Sequence, residues 1–104
     1  MRKNFPFLVM ALAAGSLLAA TMAHAALADG ACTENWSDMA AAVKANGLTP
    51  AKNLQQLAHG KVDGKLVKVG LCLNGGAYRY ELVFLQEGGQ LVTTTVDAKT
   101  PFPQ

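Results

Sequence analysis

Hydrophobic residues recur at helical spacing between Thr33 and Gly60, and this pattern predicts two short helices joined by a loop. The first helix is expected to begin at Thr33, whose hydroxyl can cap it, and to end at Asn46-Gly47, where glycine can take the left-handed conformation. Its apolar stripe consists of Trp36, Met39, Ala40 and Val43.

A second helix is predicted from Thr49-Pro50, with threonine as the cap and proline at the first helical position, where a missing N–H costs nothing. His59-Gly60 is expected to end it. Its apolar stripe consists of Ala51, Leu54, Leu57 and Ala58.

After Gly60 the period of the pattern changes to 2, which predicts strands over 66–73, 77–85 and 90–97. Asn74-Gly75-Gly76 and Glu87-Gly88-Gly89 form the turns, and such short links require antiparallel neighbours. The tail 98–104, with its two prolines, is expected to leave the sheet. The predicted fold is therefore α+β, with two short helices packed on a three- to four-stranded antiparallel meander.

Strict alternation also assigns the faces of the strands. In the first strand one face carries Val67, Val69, Leu71 and Leu73, and the other carries Leu66, Lys68, Gly70 and Cys72. In the second strand one face carries Tyr78, Tyr80, Leu82 and Phe84. Tyr78, Tyr80 and Phe84 are candidate partner-binding residues, because aromatic side chains dominate interface energetics, or else they pack in the core against Trp36, Leu54 and Leu57.

The N-terminus predicts a cleaved secretory signal over residues 1–25. Arg2 and Lys3 precede an apolar run, and Ala23-His24-Ala25 provides the small residues that a signal peptidase requires. An uncleaved membrane anchor is the alternative, although the run is short for a membrane span. Since Arg2 and Lys3 account for the net charge of +2 of the whole chain, residues 26–104 carry no net charge. That balance favours neither a nucleic-acid nor a membrane-surface partner.

Cys32 and Cys72 both follow the predicted cleavage site, and an even pair in a small exported domain predicts a disulfide. Two free thiols or a metal site are the alternatives. Because Cys72 lies opposite the most apolar face of its strand, the bond would tie the arm over 26–31 to the far face or an edge, unless a bulge near Gly70 changes the register.

No residues are assigned to catalysis, to a cofactor or to a metal. Ser37 is the only serine after the signal and lacks a nucleophile-elbow motif, and His59 is the only histidine there. Glu81 and Asp97 lie on different strands of a domain too small to offer a cleft for paired carboxylates.

The stretch from about Val62 to Thr100 resembles the PepSY domain, with Thr49 to Gly60 as the helix that precedes the sheet. The resemblance rests on Leu66-Val67-Lys68-Val69, Tyr78-Arg79-Tyr80-Glu81-Leu82, Glu87-Gly88-Gly89 and, as the most specific part, Val96-Asp97-Ala98-Lys99-Thr100. Pro101 stands where that family usually has glycine.

The resemblance implies a single PepSY-like domain over 26–104 that restrains a protease or binds an envelope protein, with no catalytic residues to carry over. Together with the absence of catalytic motifs, it predicts a non-enzymatic exported binding module, periplasmic or secreted. A periplasmic carrier of a small ligand, with a pocket between helices and sheet, is the alternative. Asp97 is expected to be structural, accepting hydrogen bonds from the turn that follows it.

Overall fold

The computed structural model describes residues 27–103. The predicted signal over 1–25 lies outside the described residues. The elements in chain order are β1 (Cys32–Thr33), α1 (Trp36–Asn46), a 3₁₀ turn (Ala51–Asn53), α2 (Leu54–Ala58), β2 (Lys65–Asn74), β3 (Ala77–Leu85) and β4 (Leu91–Asp97). The four strands form one antiparallel sheet in the order β1-β2-β3-β4, which confirms the predicted α+β meander with two helices.

The N-terminal caps differ from the prediction for both helices. Asn35 caps α1, and its side-chain oxygen accepts hydrogen bonds from the backbone N–H groups of Ser37 and Asp38 at 2.9 and 3.1 Å. Thr33 instead lies in β1 and accepts from the N–H of Asn35. Thr49 donates its hydroxyl proton to the carbonyl of Lys99, so a tertiary contact has taken the group that could have capped the second helix.

The C-terminal cap of α1 is confirmed. Gly47 adopts φ 66° and ψ 37°, and its N–H reaches back to the carbonyl of Val43. This left-handed residue ends the helix and turns the chain so that Leu48 enters the core.

The helices and the C-terminal tail pack on one face of the sheet and leave the other face open. The buried core consists of Met39, Ala42, Leu48, Leu54, Ala58, Leu71, Tyr80, Leu82, Phe84, Ala98 and Phe102. The tail leaves the sheet after Asp97, as expected, and then folds back against the core, where Thr49 donates its N–H to the carbonyl of Ala98 at 2.8 Å. By folding back, the tail buries the apolar side chain of Phe102, which stabilises the fold.

A bulge between Leu66 and Lys68 corrects the predicted faces of β2. Leu66 pairs with Phe84 and packs against the core, whereas Val67 is 49% exposed. Beyond the bulge the predicted alternation holds, and Leu71 pairs with Tyr80 inside the core. One extra residue moves the side chains that precede it in the strand to the opposite face of the sheet. A prediction from strict alternation does not include such a bulge.

The predicted disulfide is present between Cys32 and Cys72, which face each other across β1 and β2 with Cα atoms 3.9 Å apart. Cys32 and Thr33, which directly follow the predicted arm over 26–31, therefore form the fourth strand. The bulge precedes Gly70, so Cys72 stays on the face of β2 opposite the core. The disulfide therefore lies on the open face of the sheet and links β2 to the edge strand β1, as strict alternation predicts.

Candidate functional site

Two of the three aromatic candidates for partner binding lie in the interior. Tyr80 and Phe84 are fully buried, and Tyr78 is half-buried and packs against the core. Of the two alternatives that the sequence left open, packing is therefore the one the structure adopts for Tyr80 and Phe84, and these two side chains present no surface to a partner. Leu54 and Leu57 were predicted to pack against these aromatic residues, and both belong to or pack against the same core.

Trp36 departs from its predicted place in the core, because 62% of its surface is exposed. The buried stripe of α1 is centred on Met39 and Ala42. Trp36 therefore lies at the border of this stripe and not on the side of the helix that faces the sheet. An indole left this open on a helix of a small domain is unusual, since its burial would stabilise the fold more than that of any other side chain.

An apolar groove lies beside Trp36, between α1 and the chain that leads into the 3₁₀ turn. Its volume is about 220 Å³ and it is open to solvent. The lining residues are Trp36, Met39, Ala40, Val43, Pro50, Ala51 and Lys52. We call this feature the Trp36 groove.

The loop wall of the Trp36 groove is held by hydrogen bonds on both sides of Thr49. The hydroxyl of Tyr80 donates to the Thr49 carbonyl at 2.6 Å, and the Thr49 N–H donates to the carbonyl of Ala98 at 2.8 Å. Pro50 follows with φ −62° and ψ 140°, an extended conformation that its ring favours. The wall is therefore fixed by the sheet and the tail before any ligand arrives.

Burial raises the pKa of the Tyr80 hydroxyl to about 12, because a phenolate there would lose its hydration. The proton that Tyr80 gives to Thr49 is therefore retained at every physiological pH. The anchoring hydrogen bond of the loop therefore persists across the physiological pH range.

Lys52 is the one charged residue that lines the Trp36 groove in the described part of the chain. Lysine covers apolar surface with its methylenes while its ammonium stays in water. The groove thus combines an apolar floor with a positive rim, a combination that suits an apolar group with a carboxylate beside it.

The open face of the sheet carries the disulfide and a short ion pair. Lys68 and Glu34 approach to 3.1 Å, and the Glu34 side chain passes over Gly70, where a Cβ would lie 3.7 Å from it. Both partners are more than half exposed, so this pair contributes little to stability. The pair lies over the middle of β2, at Lys68 and Gly70.

His59 and Asp97 take the places that the sequence predicted for them. His59 is exposed directly after α2. The carboxylate of Asp97 accepts hydrogen bonds from the N–H groups of Lys99 and Thr100 at 2.7 and 3.1 Å, which confirms its structural role. The bonds from Thr100 and Lys99 lower the pKa of Asp97, because they favour its charged form.

Within residues 27–103, no three side chains of His, Cys, Asp or Glu converge as they would around a metal ion. No helix in that range is long and apolar enough to cross a membrane. Sequence reasoning missed the Trp36 groove because it placed Trp36 in the core. The available signal was the phase of α1, since a stripe through Met39, Ala42 and Val43 leaves position 36 at its border.

Comparisons of the chain with protein-family models, with curated proteins and with solved structures found no match. The resemblance to the PepSY domain therefore rests on the motifs quoted above.

Proposed function

We propose that this protein is an exported, non-enzymatic binding module that holds an apolar side chain of a partner protein in the Trp36 groove. The observation that carries the proposal is the 62% exposure of Trp36 beside an apolar groove. Tryptophan is among the residues that most often dominate the energetics of protein interfaces, where it packs with a partner's anchor side chain.

The size of the groove favours a protein partner over a small ligand. At about 220 Å³ it is smaller than the pockets of roughly 300–1,000 Å³ that hold small molecules and cofactors. It suits one or two apolar side chains of a partner whose remaining contacts lie on the surrounding surface. Lys52 favours a partner with an acidic residue or a terminal carboxylate next to that anchor.

The resemblance to PepSY domains supplies the class of partner, a protease that the module restrains or another protein of the cell envelope. Export is supported by the charge-apolar-small pattern of residues 1–25 and by the disulfide, because disulfides in small domains are typical of oxidising compartments.

A titration into protease assays tests the proposal. The oxidised protein is added to thermolysin-type metalloproteases and to serine proteases, while mass spectrometry follows its integrity. In parallel, its surface is crosslinked in an envelope fraction of the producing cell. Saturable inhibition by the intact protein, or one crosslinked partner, is the expected result.

The variant Trp36→Ala should lose that inhibition or crosslink, whereas Val67→Ala should retain it. Val67 is the matched control because it is also an exposed apolar residue but lies at the bulge of β2, away from the groove. If both variants bind as the wild type does, the groove is not the binding site. If the wild type binds nothing in either experiment, the proposal as a whole is wrong.

A further inference from the structure

The outer edge of β4 differs from every other strand edge in the described part of the chain, because nothing covers or blunts it. It runs over Leu91–Asp97 without a bulge, and no hydrogen bond from the described residues reaches its outward main-chain groups. It contains neither proline nor lysine. An exposed edge of this kind is a template for another strand.

The opposite edge of the sheet is protected along its length. β1 covers the C-terminal half of β2, and the disulfide holds it there. The remaining half carries the bulge and the charged side chains of Lys65 and Lys68, and the N–H of Leu66 is taken by the Gln55 side chain at 2.8 Å. These are the devices by which proteins prevent strand addition, and β4 has none of them except the charge of Asp97 at its C-terminal end.

The hydrogen bonds at the two ends of β4 show which of its residues face outward. Gln86 donates its N–H to the Gln90 carbonyl at 2.8 Å, and Ala98 donates to the Tyr78 carbonyl at 3.0 Å. Residues 90 and 98 thus bond toward β3, and so do the even-numbered residues between them, because the pattern alternates. The outward main-chain groups are those of Leu91, Thr93, Thr95 and Asp97.

The sequence of this edge is complementary to itself. Val92-Thr93-Thr94-Thr95-Val96 is the same in either direction. When two copies run antiparallel with Thr94 on the two-fold axis, Thr93 pairs with Thr95 and Leu91 with Asp97. All four outward residues then form hydrogen-bonded pairs.

The side chains fit this arrangement as well. On the core side, Val92 lies beside Val96 of the second copy and Thr94 beside its own equivalent, and such pairs of β-branched residues stabilise sheets. The only charge on the strand is that of Asp97, and the two copies of Asp97 lie at opposite ends of the ribbon. No like charges meet across the axis.

We propose that β4 is a dimerisation edge, at which two copies of this chain pair antiparallel about Thr94 and form one continuous eight-stranded sheet. The resulting contact is isologous, so it closes and does not propagate into a filament. This inference does not depend on the Trp36 groove.

Sedimentation equilibrium over a concentration series tests the proposal with protein purified from cells that express the full chain. The wild type should change from monomer to dimer as its concentration rises. Thr95→Pro removes an outward N–H without removing a bond to β3 and should weaken the dimer about tenfold or more. Thr95→Val keeps the N–H and a β-branched side chain, and should dimerise as the wild type does.

A charge exchange makes the test independent of folding defects. Thr93→Lys with Thr95→Lys places lysines opposite lysines across the axis, and Thr93→Glu with Thr95→Glu does the same with carboxylates, so each variant should be monomeric alone. Their equimolar mixture should form a heterodimer. A wild type that stays monomeric up to the highest concentration overturns the proposal. A dimer that persists in the Thr95→Pro variant also overturns it. So does the finding that only a strand of a different protein pairs with the β4 edge.

Discussion

At the scale of single residues, the Tyr80 hydroxyl joins the middle of the sheet to the loop that forms one wall of the Trp36 groove. It donates its proton to the Thr49 carbonyl from a fully buried ring. A partly buried carbonyl without a donor costs free energy, so the hydroxyl keeps both the loop and its own ring in place. Tyr80 thus supports the candidate site without touching a partner.

We expect Tyr80→Phe to lower the free energy of unfolding by about 1–1.5 kcal/mol, because one partly buried hydrogen bond is lost while the ring still packs. Urea denaturation of the oxidised protein measures the change. Tyr78→Phe is the control, since the described residues give the Tyr78 hydroxyl no hydrogen bond, and it should have a smaller effect. Equal losses in the two variants would contradict the assigned role of Tyr80.

The raised pKa of Tyr80 also predicts how stability depends on alkaline pH. In the unfolded chain this tyrosine loses its proton near pH 10.0, whereas in the folded chain it holds the proton to about 12. The stabilisation is therefore complete below pH 10 and declines as the pH rises toward 12. In denaturation curves at increasing pH, Tyr80→Phe should show a shallower decline than the wild type, and identical slopes would exclude a buried phenol.

At the scale of elements, caps and turns decide where each helix and strand begins. Asn35 satisfies two N–H groups of the first turn of α1 through one side-chain oxygen. Gly64 leads into β2 with φ +106°, and a Cβ there would lie 2.6 Å from the carbonyl oxygen of Leu85. Both residues are needed for their conformation or hydrogen bonds rather than for buried area.

Asn35→Ala should lower the free energy of unfolding by about 1 kcal/mol, as expected when an N-terminal cap is lost. Thr33→Val is the informative comparison, because Thr33 was the cap that the sequence predicted. It removes only the hydroxyl that accepts from the Asn35 N–H, so its effect should be smaller. Thermal unfolding of the two variants decides between the caps, and a larger loss in Thr33→Val would restore the sequence-based assignment.

Gly64→Ala should destabilise the protein more than Gly88→Ala. Both glycines have positive φ, so each substitution has a conformational cost of about 1–2 kcal/mol. A Cβ at Gly88 meets nothing within 4 Å, whereas at Gly64 it meets backbone that cannot move without disturbing the β2–β3 pairing. Denaturant unfolding of both variants gives the difference, and equal costs would mean that the Gly64 turn relaxes.

At the scale of the whole molecule, the disulfide holds the N-terminal residues against the sheet. Strand β1 has only two residues and could not remain paired by its own hydrogen bonds. The bond closes a loop of sequence separation 40, and it supplies the constraint that a small core lacks. Through β1 it also protects the edge of β2, which leaves β4 as the open edge.

Replacing both cysteines, Cys32→Ser with Cys72→Ser, should lower the free energy of unfolding by about 4 kcal/mol if loop entropy alone determines the change. Reduction of the wild type should have the same effect. Hydrogen exchange should then show loss of protection at Leu73 and along β1, while the β3–β4 pairing persists. A double variant as stable as the oxidised wild type would contradict this prediction, because it would mean that the unfolded chain gains no conformational entropy when the bond is removed.

Features that depend on neighbours along the chain could be predicted from the residues alone. These include the apolar stripe of α2, the Gly47 cap, both glycine turns and the three long strands, and they were predicted because each rests on local conformation or on a short period. The stripe predicted for α1 is only partly confirmed, because Trp36 and Ala40 are exposed and Ala42 is buried with Met39. The disulfide was also predictable, since only two cysteines follow the apolar N-terminal segment.

Features that depend on contacts between distant residues were set by the packing of the folded chain. The bulge at Val67, the recruitment of Cys32 and Thr33 into a strand, the use of Thr49 by the tail and the outward position of Trp36 all follow from how helices, sheet and tail share a small interior. Each is a competition between alternative partners for the same group. Such a competition is settled only when both partners are in place. The phase of α1 marks Trp36 as a border position of its buried stripe, but the groove beside Trp36 forms only when the loop over Pro50 and Ala51 packs next to α1.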